Sequence, residues 1–181
     1  MKQVYLVRHC KAAGQEPDAP LTEAGVRQAE ALADFFSGRA VDVILSSPFE
    51  RAYRSIAPLA DRLAVDIVMD DRLTERILSG SNHADWREML RLTYEDPDLH
   101  YEGGESSNAA MSRAASVVSE ALNSGRNNMV VVSHGNLISL LLKHFDNRIG
   151  FKEWEAMSNP DVFQLTFSSE DKPSIRRIWE D

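Results

Sequence analysis

Residues 129–133, MVVVS, run through the chain with no polar–apolar alternation. A strand with one face in water alternates, so this run fits the centre of a parallel sheet covered by helices on both faces. It ends on His134 and leads into NLISLLLKHF, a helix pattern beginning near Asn136. The start of the chain repeats the arrangement. Residues 3–8 read as a strand whose apolar Val4–Val7 run into Arg8 and His9, followed by Cys10. Two apolar strands that end on groups preferring water need a reason for doing so.

The rest of the chain supplies the sheet and its cover. Thr22 is placed to cap a helix whose Val26, Ala29, Leu32, Ala33 and Phe36 recur at helical spacing, with Gly38 as the stop. VDVILSS is a second strand. After it Ser47, Pro48 and Glu50 predict a capping box and a helix to about Leu63. AVDIVMD is a third strand candidate, and one helix is expected from about Ala84 to Tyr94 inside the poorly patterned stretch 71–100. YEGGESSN leads into a helix with Met111, Ala114, Ala115, Val118, Ala121 and Leu122 as its core face. Two strands, 161–168 and 174–179, joined by the turn-rich SSEDKP, end the chain. Strands alternating with helices predict an α/β fold, a three-layer αβα sandwich with a mainly parallel sheet and one antiparallel edge.

At 181 residues, without repeats or linker-like segments, the chain is expected to form a single domain over 1–181. A formal charge of −8 and no basic run argue against nucleic acid or an anionic membrane as partner. One cysteine excludes an internal disulfide, and the apolar N-terminal stretch stops at Arg8, too short for a signal peptide. A cytoplasmic protein is the expectation.

In parallel α/β sheets, ligands bind just beyond the carboxyl ends of the strands. Arg8 and His9 follow the first strand, Arg51 sits in the helix after the second, and His134 follows the 129–133 strand. Taken singly, each has an ordinary reading as a loop histidine or a surface arginine. Together on one edge they would repel one another unless an anion lay between them. Guanidinium forks match phosphate oxygens. A neutral imidazole among them becomes a nucleophile toward phosphorus if its other nitrogen donates to a backbone carbonyl.

Competing chemistries fail on spacing. Cys10 lacks the arginine six residues on that a thiol phosphatase loop needs, because Glu16 is there. Ser133, in VVSHG, lacks the first glycine of a serine-hydrolase elbow. The five histidines form no metal-ligand pattern, so neither a metal nor another cofactor is expected. EGGES reads as a plain lead-in to a helix rather than a phosphate cradle.

LVRHCKA, DAPLTEAGVRQAEAL, ILSSPFERAYRS, LTE and VVVSHGN, in this order from Val4 to about Leu142, resemble the histidine phosphatase superfamily, the phosphoglycerate-mutase-like group. The resemblance implies that fold, a metal-independent phosphatase, and roles for matched positions. His9 would carry the phosphoryl group, Arg8, Arg51 and His134 would clamp it, and Glu75 would donate the proton. Nothing in the spacing alone selects Glu75 from 28 acidic residues. Two departures stand out. Cys10 replaces the family's usual glycine and is expected to pack inward. Gln15 takes the amide position usually held by Asn, a candidate substrate contact in a shortened loop. The short loop favours hydrolysis of a small-molecule or protein phosphate ester over mutase transfer, and a non-catalytic phospho-ligand module is the remaining alternative. Lys11, Arg76, Asn82, His83 and Tyr101 are candidates for the pocket entrance, with plain surface as their other reading.

Overall fold

The structure is a computed structural model that describes residues 1–169 and 172–180. Its centre is a six-stranded sheet in the order β3-β2-β4-β1-β5-β6. The strands are β1 (Lys2–Arg8), β2 (Val43–Ser46), β3 (Ile67–Met69), β4 (Asn128–Ser133), β5 (Asp161–Phe167) and β6 (Ser174–Arg177). The first four are mutually parallel, and β5 and β6 close one side antiparallel. Of the turn expected between β5 and β6, residues 170 and 171 lie outside the described residues.

Strand alternation divides the core in two. Val4 and Leu6 of β1 and Met129 and Val131 of β4 join the core under α4 (Ser107–Leu122) and α5 (Gly135–Phe145). Tyr5, Val7, Val130 and Val132 join the core under α1 (Glu23–Phe35) and α2 (Glu50–Leu63). Every one of these eight side chains is at most 5% exposed, so each contributes roughly 1.5–3 kcal/mol of burial. This is the three-layer αβα sandwich with a mainly parallel sheet.

Thr22 caps α1 as its position predicts, accepting from the Gly25 amide at 3.0 Å. Val26, expected on the core face, is 55% exposed. Gly25 is the cause. A Cβ there would lie 2.1 Å from the Lys11 carbonyl oxygen, so the helix turns residue 25 inward and residue 26 out. Thr22 also donates its amide to that carbonyl, and the Lys11 amide donates to Gln28 Oε1 at 2.9 Å. The TEAGVRQ motif thus fixes the backbone two residues beyond His9.

The capping box expected at Ser47 is absent. The cap of α2 is Phe49, with no side-chain bond, and Ser47 is used elsewhere. In α4 the buried stripe is Ser107, Ala110, Ala114, Val117, Val118 and Ala121, which leaves Met111, Ala115 and Leu122 on its partly buried flank. A helix α3 (Trp86–Glu95) falls close to its predicted place. α6 (Phe151–Glu155), only five residues long, is too short to carry a readable period. Residues 77–80 pack against 102–105, with the Glu105 amide donating to the Ile77 carbonyl and the Gly80 amide to that of Glu102. The EGG glycines serve this contact and the lead-in to α4, capped by Ser106. No helix among the described residues is long and apolar enough to cross a membrane.

Candidate active site

Four strand ends deliver the site. Arg8 is the last residue of β1 and His9 the next, Arg51 is the second residue of α2 after β2, and Glu75 follows the 3-10 turn Asp71–Leu73 beyond β3. His134 is the cap residue between β4 and α5. The His9 and His134 rings meet edge to face with centroids 5.1 Å apart.

His9 is 8% exposed, and its Nδ1 lies 2.7 Å from the Cys10 carbonyl oxygen. A carbonyl only accepts, so Nδ1 carries the proton and Nε2 keeps its lone pair. The Cys10 amide in turn donates to Ser55 Oγ at 2.7 Å, and Asn159 Nδ2 donates to the His9 carbonyl at 3.0 Å. Burial pushes the His9 pKa down to about 4; the Cys10 bond opposes this, and Arg51 and Arg8 add to it. Burial, more than the two neighbouring cations, keeps the ring neutral.

Arg8 donates through Nη1 to the Met157 and Ser158 carbonyls, and Arg51 through Nη1 to the Gln15 and Glu16 carbonyls. His134 Nε2 shares a 2.8 Å bond with Ser47 Oγ, which also accepts from the Phe49 amide. This is the use that draws Ser47 away from capping α2. Beyond these bonds, Arg8 Nε, Arg51 Nε and His134 Nδ1 are buried with no partner among the described residues. Three unspent polar atoms on three converging side chains describe a place for an anion.

Glu75 is held at the start of α5. Its Oε1 accepts from the Arg76 and Leu137 amides at 2.8 and 2.9 Å, and its Oε2 from the Asn136 amide at 3.1 Å. A helix N-terminus favours an anion, so one junction orients both His134 and Glu75. Ser133 Oγ donates to the Leu73 carbonyl at 2.7 Å, which ties β4 to the segment carrying Glu75 and spends the hydroxyl.

A cleft of about 670 Å³ opens over Arg51 and Glu75 and is lined also by Gln15, Arg76, Asn82, His83 and Trp86. It adjoins a second hollow that contains Arg8, Arg76, Asn136 and Trp154. Of the sequence candidates, Gln15, Arg76, Asn82 and His83 reach the cleft. Lys11 and Tyr101 are not among its lining residues; Lys11 is held by Thr22 and Gln28, and the Tyr101 hydroxyl donates to the Met89 carbonyl. Cys10 is fully buried, and burial pushes its thiol up to about 12. Ser55 and Asn159 carry no signal in the sequence, and Ser47 and Asn136 show there only as helix starts, because the partners of all four side chains lie far along the chain.

These shifts predict how stability depends on pH. An unfolded His9 titrates near 6.5, whereas the folded one resists protonation down to about 4. As pH falls through that window the unfolded chain takes up a proton and the folded chain does not. Stability therefore falls, by about 3 kcal/mol in all from His9. His134, lowered in the same direction by burial, adds to the loss. Urea midpoints measured from pH 7.5 to 4.5 should decline steeply below 6.5, and His9→Ala should flatten part of that decline.

Comparison with known proteins bears on the family and the fold. A family model described as Histidine phosphatase superfamily (branch 1) matches residues 4–179. Phosphoserine phosphatase 1 of Hydrogenobacter thermophilus is 29% identical over 155 residues, covering 74% of this chain and 71% of its own. A Yersinia pestis protein named Probable phosphoglycerate mutase GpmB is 35% identical over 82 residues, covering 41% of this chain and 38% of its own. The structure of a mycobacterial glucosyl-3-phosphoglycerate phosphatase with inorganic phosphate superimposes with a TM-score of 0.79 at 27% identity, over 99% of this chain and 96% of that one.

Proposed function

The chain belongs to the histidine phosphatase superfamily and is a phosphoric monoester hydrolase; within that class we propose that it works through a phosphohistidine on His9. The observation that carries this reading is a His9 ring whose Nδ1 is spent on the Cys10 carbonyl, 5.1 Å from the His134 ring, together with unpartnered buried atoms on its neighbours Arg8, Arg51 and His134. Phosphoryl transfer asks the protein mainly for positioning and for stabilisation of charge on the equatorial oxygens. The two guanidiniums supply both at any working pH.

In the first step the ester's phosphorus bonds to His9 Nε2 as its bond to the leaving oxygen breaks. The Nδ1–H donated to the Cys10 carbonyl stabilises the positive charge that develops on the ring. Glu75 gives the leaving oxygen a proton. Its Oε2 accepts one amide where Oε1 accepts two, so Oε2 has the lone pair on which that proton rests. In the second step the same oxygen takes a proton from water as the water attacks phosphorus, and His9 is released. Both steps balance without a metal. Gln15, exposed at the cleft, is the proposed substrate contact on the leaving-group side.

Steady release of phosphate from p-nitrophenyl phosphate, unchanged by a chelator, tests the reading. Failure to turn over this ester and a broad metabolite panel would overturn it. The match to a protein named as a mutase supports a second reading, transfer of the phosphoryl group to an acceptor acid. The short loop favours water instead. It folds on itself through an Ala12–Leu21 bridge and the Ala13 amide donating to the Pro20 carbonyl. Product analysis with added 3-phosphoglycerate separates the two.

The clamp has a sensitive neighbour. A Cβ on Gly135 would lie 2.8 Å from Arg8 Nε and 2.9 Å from its Cζ. Gly135→Ala should push the guanidinium aside and lower kcat/KM on the order of 10²-fold. Because alanine suits a helix better than glycine, the melting temperature should not fall in proportion.

A further inference from the structure

Behind Glu75 lies a polar cluster that the catalytic reading does not use. Tyr94 on the last turn of α3, Asn136, the second residue of α5, and Ser139, one turn further on, are all buried. Asn136 Nδ2 donates to Tyr94 Oη at 2.8 Å, and Tyr94 Oη lies 2.5 Å from Ser139 Oγ. Ser139 spends its proton on the Asn136 carbonyl at 2.7 Å, so in the bond between the two hydroxyls the phenol is the donor. Burial pushes the Tyr94 pKa up, and the phenol keeps that proton at working pH. The three residues close a circle in which each donates to the next.

Such a circle is out of keeping with its surroundings. The Tyr94 ring packs edge to face on Phe151, with centroids 5.9 Å apart, in the core that holds Leu90 and Leu140. A phenylalanine would fill the same space with no polar atom to satisfy, and buried polar groups are costly unless every one is paired. What the circle holds is the backbone of Asn136. Ser139 takes its carbonyl, Tyr94 takes one end of its side-chain amide, and Arg76 Nη1 donates to the other end at 3.3 Å. The Asn136 N–H is thereby aimed at Glu75 Oε2, 3.1 Å away. Among the described residues it is the one donor to that oxygen, so its direction decides where the remaining lone pairs of Oε2 point.

We propose that Tyr94 is a positioning residue for proton transfer: through Asn136 it aims Glu75 Oε2 at the leaving oxygen of the ester. Tyr94 is not among the residues lining either hollow of the cleft, and its hydroxyl is linked to Glu75 by way of Asn136. The inference rests on the phosphomonoesterase reading, in which Glu75 is the proton donor.

Tyr94→Phe keeps the aromatic packing and removes one hydroxyl. Single turnovers with enzyme in excess isolate the transfer to His9. For the fastest alkyl ester of the metabolite panel the rate should fall roughly 10-fold, as a small misalignment of a reacting group gives, with the dissociation constant of the ester unchanged. For 2,4-dinitrophenyl phosphate, whose leaving group needs no proton, the rate should stay that of wild type. Beside Glu75→Gln, Tyr94→Phe should cost the alkyl ester nothing further, because the group it aims is gone. A merely structural tyrosine would slow both esters, and by the same factor in either background. Equal losses on the two esters, no loss on either, or the same loss persisting beside Glu75→Gln would overturn the proposal. Ser139→Ala, which opens the circle one bond away, should show the same leaving-group dependence, and it takes the place of Tyr94→Phe if that variant does not melt cooperatively. Wild-type enzyme that turns over no ester would overturn the phosphatase reading instead, and this inference with it.

Discussion

Replacing His9 by alanine should lower phosphate release from p-nitrophenyl phosphate by at least ~10⁴-fold. No other group in the site can take over. Cys10 is fully buried with its thiol pushed up to about 12 by that burial, and Ser133 spends its hydroxyl on the Leu73 carbonyl. His134 has one ring nitrogen bonded to Ser47. The anion site itself should survive, because Arg8, Arg51 and His134 are anchored by carbonyls and a hydroxyl that do not involve the His9 ring. Inorganic phosphate should therefore still raise the melting temperature of the variant. Loss of turnover with retained binding separates a missing nucleophile from a damaged fold. Residual activity within about a hundredfold of wild type would instead mean that water attacks the ester directly and His9 only assists.

Glu75→Gln is the second large effect, and it should depend on the leaving group. For alkyl phosphates the departing alkoxide needs a proton in the transition state, so the loss should be roughly 10²–10⁴-fold. For 2,4-dinitrophenyl phosphate, whose leaving group departs as a stable anion, the first step should be slowed far less. Hydrolysis of phosphohistidine then becomes limiting, since the base for water is gone, and a burst of dinitrophenolate equal to the enzyme concentration should precede slow turnover. The amide also turns an N–H toward one of the three backbone amides that the carboxylate accepts, so a stability cost of about 1–3 kcal/mol accompanies the change. Equal losses on both substrates would remove Glu75 from proton transfer.

The parts of the protein legible in its sequence are those encoded over short distances. Apolar runs of four residues marked β1 and β4, and the abrupt switch to Arg8–His9 and His134 marked where their ends point. Thr22 and the turn after Phe36 bounded α1. What escaped is held by contacts between distant residues. Arg76 donates to Thr93, Ser107 and Asn136, 17, 31 and 60 positions away, so no local period betrays its burial. Glu75 has the same problem, with two of its three donors beyond position 135; the family motif, and no pattern of the residues themselves, singled it out. Ser47 reads as a cap because a serine before a proline and a glutamate looks like one, while its hydroxyl serves a histidine 87 residues on. Val26 fits the core face by spacing, but Gly25 fits it nearly as well, and only the Lys11 carbonyl decides between them.

Everything turns on the phosphoryl group resting on His9 between the two steps. Enzyme mixed with a labelled phosphomonoester, quenched in base within milliseconds and digested, should yield one phosphorylated peptide. That peptide should contain His9, lose its label in mild acid, be absent from His9→Ala, and form as readily in chelator as without it. Turnover with no labelled enzyme at any time, or label on Cys10 or a serine, would contradict the account.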